Sequence, residues 1–535
     1  MRKKFVILAG LIACLAGSAH AQLNMTQLGR LEYTGLLQIL NDIWGWADGN
    51  GNEYALVGKF DGTSIVDVTD PANPTEVFFL PGPFSSWRDL KTWDGHVYVT
   101  NEADSGLTII DLNTLPGNPN LAVTYYDFLP TGDSLKTAHN LYIDENGICY
   151  LFGSNIGLGG AIMLDLNADP KNPQYLGMFD QFYLHDGMVR GDTLWGSAIN
   201  DGFAAIIDVS DKTDPILRNT FLTPNAFTHN SWISDDNDYL FTTDEVGGAY
   251  VTAYDVSNVA NPTEVDRYQS NPGSGSLPHN THVYNNYLVT SYYVDGVTIV
   301  DATRPDNMVE VGNFDTAPDR DSTDGGGCWG AYPYLPSGNI LATDMQEGLF
   351  VLGATYVRAS YLQGAVTDAV TNLPVIRPDV ELVGTTSVKS GDITGEYRIG
   401  HVDPGSFTVR FSKSGYVEKL VNNVVIGTDS TTILDVELSP WPVGVEDGPI
   451  STIDWKAFPN PFSGAIRLEL DAASVVPGAF VRVRNQLGQV VAQQAVGASN
   501  HTLTLGEDWP AGLYIAEWHN GNQVHWLGKW VKVQR

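Results

Sequence analysis

Four histidines recur along the first two thirds of the chain, His139, His185, His229 and His279, spaced 46, 44 and 50 residues apart. Asn140, Asn230 and Asn280 follow three of them, and Asp186 follows the fourth. Trp44, Trp87 and Trp329 hold the matching places on either side of this run, with Arg88 next to Trp87 and His282 shortly after His279. Neutral imidazole suits zinc, copper, iron or nickel, and carboxylate suits calcium or manganese. A divalent metal ion is therefore one expected cofactor, with His185, His229, His279, His282 and Asp244 as its candidate ligands. Indoles beside carboxylates also suit sugar rings, through stacking and hydroxyl hydrogen bonds. The wider candidate set for a polysaccharide, protein or cation ligand is Trp44, Trp87, Arg88, His139, His185, Asp186, His229, His279, His282 and Trp329. A second reading stands beside this one. A histidine repeated once per structural unit is what a fold device looks like, whereas a binding site usually breaks symmetry. Asp186, His282 and Cys328 depart from the repetition, which makes them the more specific candidates.

Other chemistry is sparse. The chain has no G-x-S-x-G elbow, no H-E-x-x-H and no P-loop, so no residue is assigned a catalytic role. The expected function is a binding or interaction module. A metal-assisted hydrolase or lyase, with metal-bound water as nucleophile at the same residues, is the alternative.

The elements that must position these residues are strands in a repeat. A hydrophobic triplet ending in aspartate recurs at Ile65-Val66-Asp67, Ile109-Ile110-Asp111, Met163-Leu164-Asp165, Ile206-Ile207-Asp208 and Ile299-Val300-Asp301, with Ala253-Tyr254-Asp255 as a weaker copy. Each unit adds an apolar strand before the triplet, then an Asx/Pro turn such as Asp70-Pro71-Ala72-Asn73-Pro74, then an alternating strand. A period near 45 residues with four strands per unit is the arithmetic of a β-propeller blade. The Trp/His markers count seven blades. The last lacks an outer strand, and Leu28-Gly29-Arg30-Leu31-Glu32-Tyr33 matches the missing pattern. The N-terminus is thus predicted to complete the last blade and close the ring. In such a ring the markers and the hairpins Asn101-Glu102-Ala103-Asp104, Asn200-Asp201 and Asp244-Glu245, together with Asp344 and the acidic loop from Asp319 to Gly327, share one mouth of the central channel. The triplet aspartates end strands and are expected to accept turn hydrogen bonds. Cys149 and Cys328 fall in blades that are not neighbours, which argues against a disulfide.

Composition agrees. Of 535 residues, 43% are apolar and 11% aromatic, with 55 glycines and 28 prolines, which fits many short strands and tight turns. The formal charge of −33 disfavours nucleic acid and anionic lipid as partners. Residues 1–357 hold 44 acids against 15 bases, so the charge belongs to the propeller.

Residues 1–21 read as a signal peptide: Arg2, Lys3 and Lys4, an apolar run, then Ala19-His20-Ala21. Leu11-Ile12-Ala13-Cys14 offers a rival lipoprotein reading through Cys14. No stretch is long and apolar enough for a transmembrane helix. A monomer is expected.

Three resemblances join these readings. The triplets and the Trp/His starts resemble LVIVD-repeat propellers, in particular the choice-of-anchor B family, which implies a propeller joined to a surface-anchoring tail and carries no established activity. In WD-type propellers a comparable histidine bonds within and between blades. Leu362-Gln363-Gly364-Ala365-Val366-Thr367-Asp368, Gly395-Glu396-Tyr397 and Asp403-Pro404-Gly405-Ser406-Phe407-Thr408-Val409 resemble the carboxypeptidase-regulatory-like (transthyretin-like) β-sandwich, an accessory module expected here as a spacer or stalk. Phe458-Pro459-Asn460-Pro461-Phe462, Val481-Arg482-Val483, Pro510-Ala511-Gly512-Leu513-Tyr514 and Val531-Lys532-Val533 resemble the C-terminal sorting domain of the type IX secretion system found in the Bacteroidota. That resemblance implies the outer-membrane translocon as partner, and release or attachment at the cell surface. The expected architecture is all-β: signal peptide 1–21, seven-bladed propeller 22–357, β-sandwich 358–440, linker 441–452 and sorting domain 453–535.

Overall fold

The computed structural model describes residues 22–35, 39–320, 325–441, 455–471, 475–497, 499–520 and 523–534. The signal peptide with Cys14, nearly all of the 441–452 linker, and Asp321 to Asp324 of the acidic loop lie outside them. No helix among the described residues is long and apolar enough to cross a membrane.

Between residues 25 and 354 the described residues form seven four-stranded antiparallel sheets. The first strand of each touches the first strand of the next, and Leu40–Ala47 meets Cys328–Tyr332, so the sheets close into a propeller around a channel. The closing blade is built from both ends of this region. Met25–Leu31 pairs antiparallel with Gly348–Ala354, as the sequence pattern predicts, and leaves that edge covered. The inner and middle strands read as unbroken apolar runs because neighbouring blades cover both of their faces. Tyr54, Leu56, Ile65, Ile110 and Val97 are fully buried between the first two blades.

The triplet aspartates do the work expected of them. Asp67, Asp111, Asp165, Asp208, Asp255 and Asp301 each accept a hydrogen bond from the backbone N–H two residues on, at 2.9 to 3.1 Å. Cys149 and Cys328 are free and buried.

The β-sandwich that follows has two sheets around Leu362, Val380, Tyr397, Val409 and Phe411. It is not a free stalk. Ala359 and Tyr361 pack into the same buried cluster as Val309 and Val311 of the sixth blade. Asp301 fastens the junction by accepting from Ala359 N at 2.8 Å, Tyr361 Oη at 2.9 Å and Arg358 Nη1 at 2.9 Å.

The C-terminal unit, taken by itself, is a second sandwich of a three- and a four-stranded sheet. Its Pro-Asn-Pro motif has a structural task. Asn460 donates to Lys529 O and accepts from Val531 N, both at 2.8 Å, clasping the final strand, while Phe462 enters the core.

Candidate functional site

Each innermost strand runs inward from the mouth, so equivalent residues form rings at successive depths. The outermost ring is Asn41, Arg88, His139, His185, His229, His279 and Trp329. The next is Asp42, Asp89, Asn140, Asp186, Asn230, Asn280 and Gly330. Two residues further in come Trp44, Lys91, Tyr142, Met188, Trp232, His282 and Tyr332. This register corrects the sequence alignment at the first two blades. Asn41 and Arg88 hold the marker position, not Trp44 and Trp87. The inter-blade bonds fix the equivalence: a hydroxyl on the second strand donates to the marker carbonyl of the next blade, Thr343 to Asn41 O, Thr100 to His139 O, Thr243 to His279 O and Ser291 to Trp329 O.

At the mouth the four imidazoles form a ladder between two indoles. Ring centroids are 6.3 Å apart from Trp87 to His139, then 3.9, 4.5 and 4.4 Å along His185, His229 and His279, and 4.5 Å to Trp329. They line a small pocket of about 20 Å³, room for one water-sized group. His185 Nδ1 bonds His229 O at 3.3 Å, His229 Nδ1 bonds His279 O at 3.2 Å, and His279 Nδ1 bonds Trp329 O at 2.6 Å. A carbonyl only accepts, so each Nδ1 carries the proton. Burial holds all three imidazoles below the ordinary histidine range, neighbouring imidazoles push His185 and His279 further down, and Glu245 opposes the shift at His229. The neutral ring therefore presents an Nε2 lone pair to the channel. The structural role of these histidines and a ligand-binding role are thus compatible, because each uses a different nitrogen. His139 differs: its Nδ1 meets Glu102 Oε1 at 2.6 Å.

Glu245 faces two of the lone pairs, 3.6 Å from His229 Nε2 and 3.9 Å from His279 Nε2. The Tyr293 hydroxyl donates to Glu245 Oε1. Tyr293 stands edge-on to His279 and holds a left-handed φ of 42°, a conformation costly for a non-glycine residue and concentrated at functional sites. Sequence reasoning names Asp244 of this hairpin, whereas the residue that the structure turns toward the imidazoles is Glu245. Asp244 is buried, with its oxygens accepting from Thr223 Oγ1, Asn225 N and Phe227 N in the loop that leads into its blade.

Of the other predicted residues, Arg88 lines the mouth pocket, while Trp44 and His282 lie deeper. Arg88 turns its guanidinium onto the Lys59 and Pro83 carbonyls, and burial lowers its pKa to about 10. Trp44 lies deeper, against Tyr332 at 4.8 Å and under the Lys91 ammonium at 4.4 Å. His282 is not at the mouth. It packs on Trp232 at 4.5 Å, with its pKa pushed down to about 3 by burial and then by Lys91.

Asp186 proves to be one of three aspartates in the second ring. Lys91 bonds Asp89 at 2.6 Å, Asn230 bonds Asp186 at 3.0 Å, and Asn280 reaches Asp42 at 3.3 Å. Burial raises Asp186 to about 6, and burial with the Asp89 charge raises Asp42 well above its usual range. Gly330 makes room for this: a Cβ there would stand 2.3 Å from Asp42 Oδ1.

Three family models match the chain. The LVIVD repeat matches residues 49–80 and 198–223. The carboxypeptidase regulatory-like domain matches residues 361–439, and the secretion system C-terminal sorting domain matches residues 456–533. No curated protein matches the chain. Among solved structures, a putative 6-phosphogluconolactonase from Bacteroides uniformis is similar at 11% identity and TM-score 0.40, covering 53% of this chain and 88% of its own. A catalytically inactive variant of virginiamycin B lyase from Staphylococcus aureus, crystallised with quinupristin, is similar at 13% identity and TM-score 0.44, covering 62% and 100%. The chain therefore carries LVIVD repeats within a β-propeller, a carboxypeptidase regulatory-like domain and a secretion system C-terminal sorting domain that marks it for secretion or surface attachment.

Proposed function

We propose that this chain is an exported binding module: a signal peptide, a propeller over residues 22–357 whose mouth seats the ligand, a β-sandwich over 358–440, and a sorting domain over 453–535 read by the type IX translocon. The observation that carries the reading is the ladder itself. Three of its imidazoles spend one nitrogen on the scaffold and keep the other for whatever enters the pocket, and at His229 and His279 that second nitrogen lies beside Glu245. Trp87, 41% exposed at one end of the ladder and close to the His139–Glu102 pair, adds a face on which a sugar ring or an aromatic side chain can stack. The test is binding of the mature chain to arrayed polysaccharides and to cell-surface protein extracts. It compares Trp87→Ala and Glu102→Gln with Lys171→Ala on the opposite face. Retention that falls only in the mouth variants supports the reading. Retention that falls only with Lys171→Ala contradicts it.

A further inference from the structure

We propose that His229, His279 and Glu245 hold a divalent transition-metal ion of the zinc class at the propeller mouth, a deepening that rests on the mouth being the ligand seat. His229 Nε2 and His279 Nε2 are acceptors, because their Nδ1–H groups are committed to backbone carbonyls. Glu245 is an acceptor too. Acceptors converge at 3.6 and 3.9 Å, and the three ligand atoms all lie within 4.8 Å of one another. A tetrahedral zinc ion with ligands about 2.1 Å away sets its ligand atoms about 3.4 Å apart, so small side-chain movements complete the site.

The surroundings have the form of a metal's outer shell. Ligating histidines characteristically donate their other ring nitrogen to a carbonyl, and ligating carboxylates are themselves hydrogen-bonded. Both features are present, through the His279 and Trp329 carbonyls and through the Tyr293 hydroxyl. Both imidazoles are buried, while Glu245 is partly exposed and leaves an approach from solvent. Two imidazoles and one carboxylate suit zinc, nickel or iron better than calcium, whose sites are built from oxygen.

The test is zinc titration of the chelator-treated mature chain, followed by calorimetry and by metal analysis after desalting. About one zinc per chain is expected, lost in the His229→Gln/His279→Gln double variant. Two milder variants guard against misfolding: Glu245→Gln, and Tyr293→Phe, which removes only the outer-shell hydroxyl and is expected to weaken zinc about 10- to 100-fold. Zinc that fails to bind, or binds equally to wild type, Glu245→Gln and Tyr293→Phe, overturns the assignment. Absence of zinc alongside polysaccharide or protein binding that still needs Trp87 overturns the metal alone and leaves the mouth as the ligand seat.

Discussion

His279 Nδ1 donates to the Trp329 carbonyl 2.6 Å away, across the boundary between two blades. The same bond, one blade earlier each time, ties His229 to His279 O and His185 to His229 O. This relationship ties the blades together through Nδ1 and leaves each Nε2 outside those bonds. It predicts that in the metal-free chain all three imidazoles are Nδ1–H tautomers. Histidine side-chain ¹⁵N shifts check this. A protonated Nε2 with a bare Nδ1 at these residues contradicts it.

Asp186 sits buried beneath the ladder with its pKa raised to about 6. A carboxyl raised above its unfolded value near 3.9 favours folding fully below that value and loses the advantage as pH rises through 6. Two units correspond to about 3 kcal/mol. Asp186→Asn, which keeps a polar partner for Asn230, is expected to raise the urea midpoint above pH 6 and to flatten the pH dependence between 4 and 6. An unchanged profile is the contrary result.

Gly330 is the gap through which Asp42 meets Asn280. A methyl there would press on Asp42 Oδ1 at 2.3 Å and on Ile43 at 3.0 Å. Gly330→Ala is expected to destabilise the propeller by about 1–3 kcal/mol, as overpacking does. Asp42→Ser in the same background should recover part of that loss. Denaturant unfolding of the single and double variants measures both.

Asp301 is the triplet aspartate that gained a second task. Burial pushes its carboxyl up, but bonds from Thr303, Ala359 and Tyr361 outweigh this and leave it below the usual range. Its contribution is therefore present above the unfolded value and lost as pH falls through the lower folded value. Asp301→Ala is expected to loosen the β-sandwich from the sixth blade, so that scanning calorimetry resolves an additional transition and proteolysis cuts near Val357. A single unchanged transition contradicts the docking role.

Much of the fold is legible in the sequence. The triplets set the strand order, their aspartates cap the predicted turns, and Leu28-Gly29-Arg30-Leu31 shows which segment closes the ring. What is not legible depends on partners. Trp44 matches the markers by residue type, yet it stands three residues past Asn41, whose carbonyl takes the inter-blade bond, and so lies at the depth of Trp232 and Tyr332. Asp244 and Glu245 are adjacent carboxylates, and only the fold shows that one turns into the preceding inter-blade loop and the other toward two imidazoles. Tyr293 carries no motif at all. Its role follows from a left-handed backbone that aims the hydroxyl at Glu245.

Whether the ladder leaves lone pairs for a ligand at the mouth is tested most directly by a zinc-soaked crystal, with an anomalous difference map recorded across the zinc edge. One dominant peak is predicted about 2.1 Å from His229 Nε2 and His279 Nε2, and within bonding distance of Glu245. No peak at the mouth, or a dominant peak elsewhere on the chain, would contradict it.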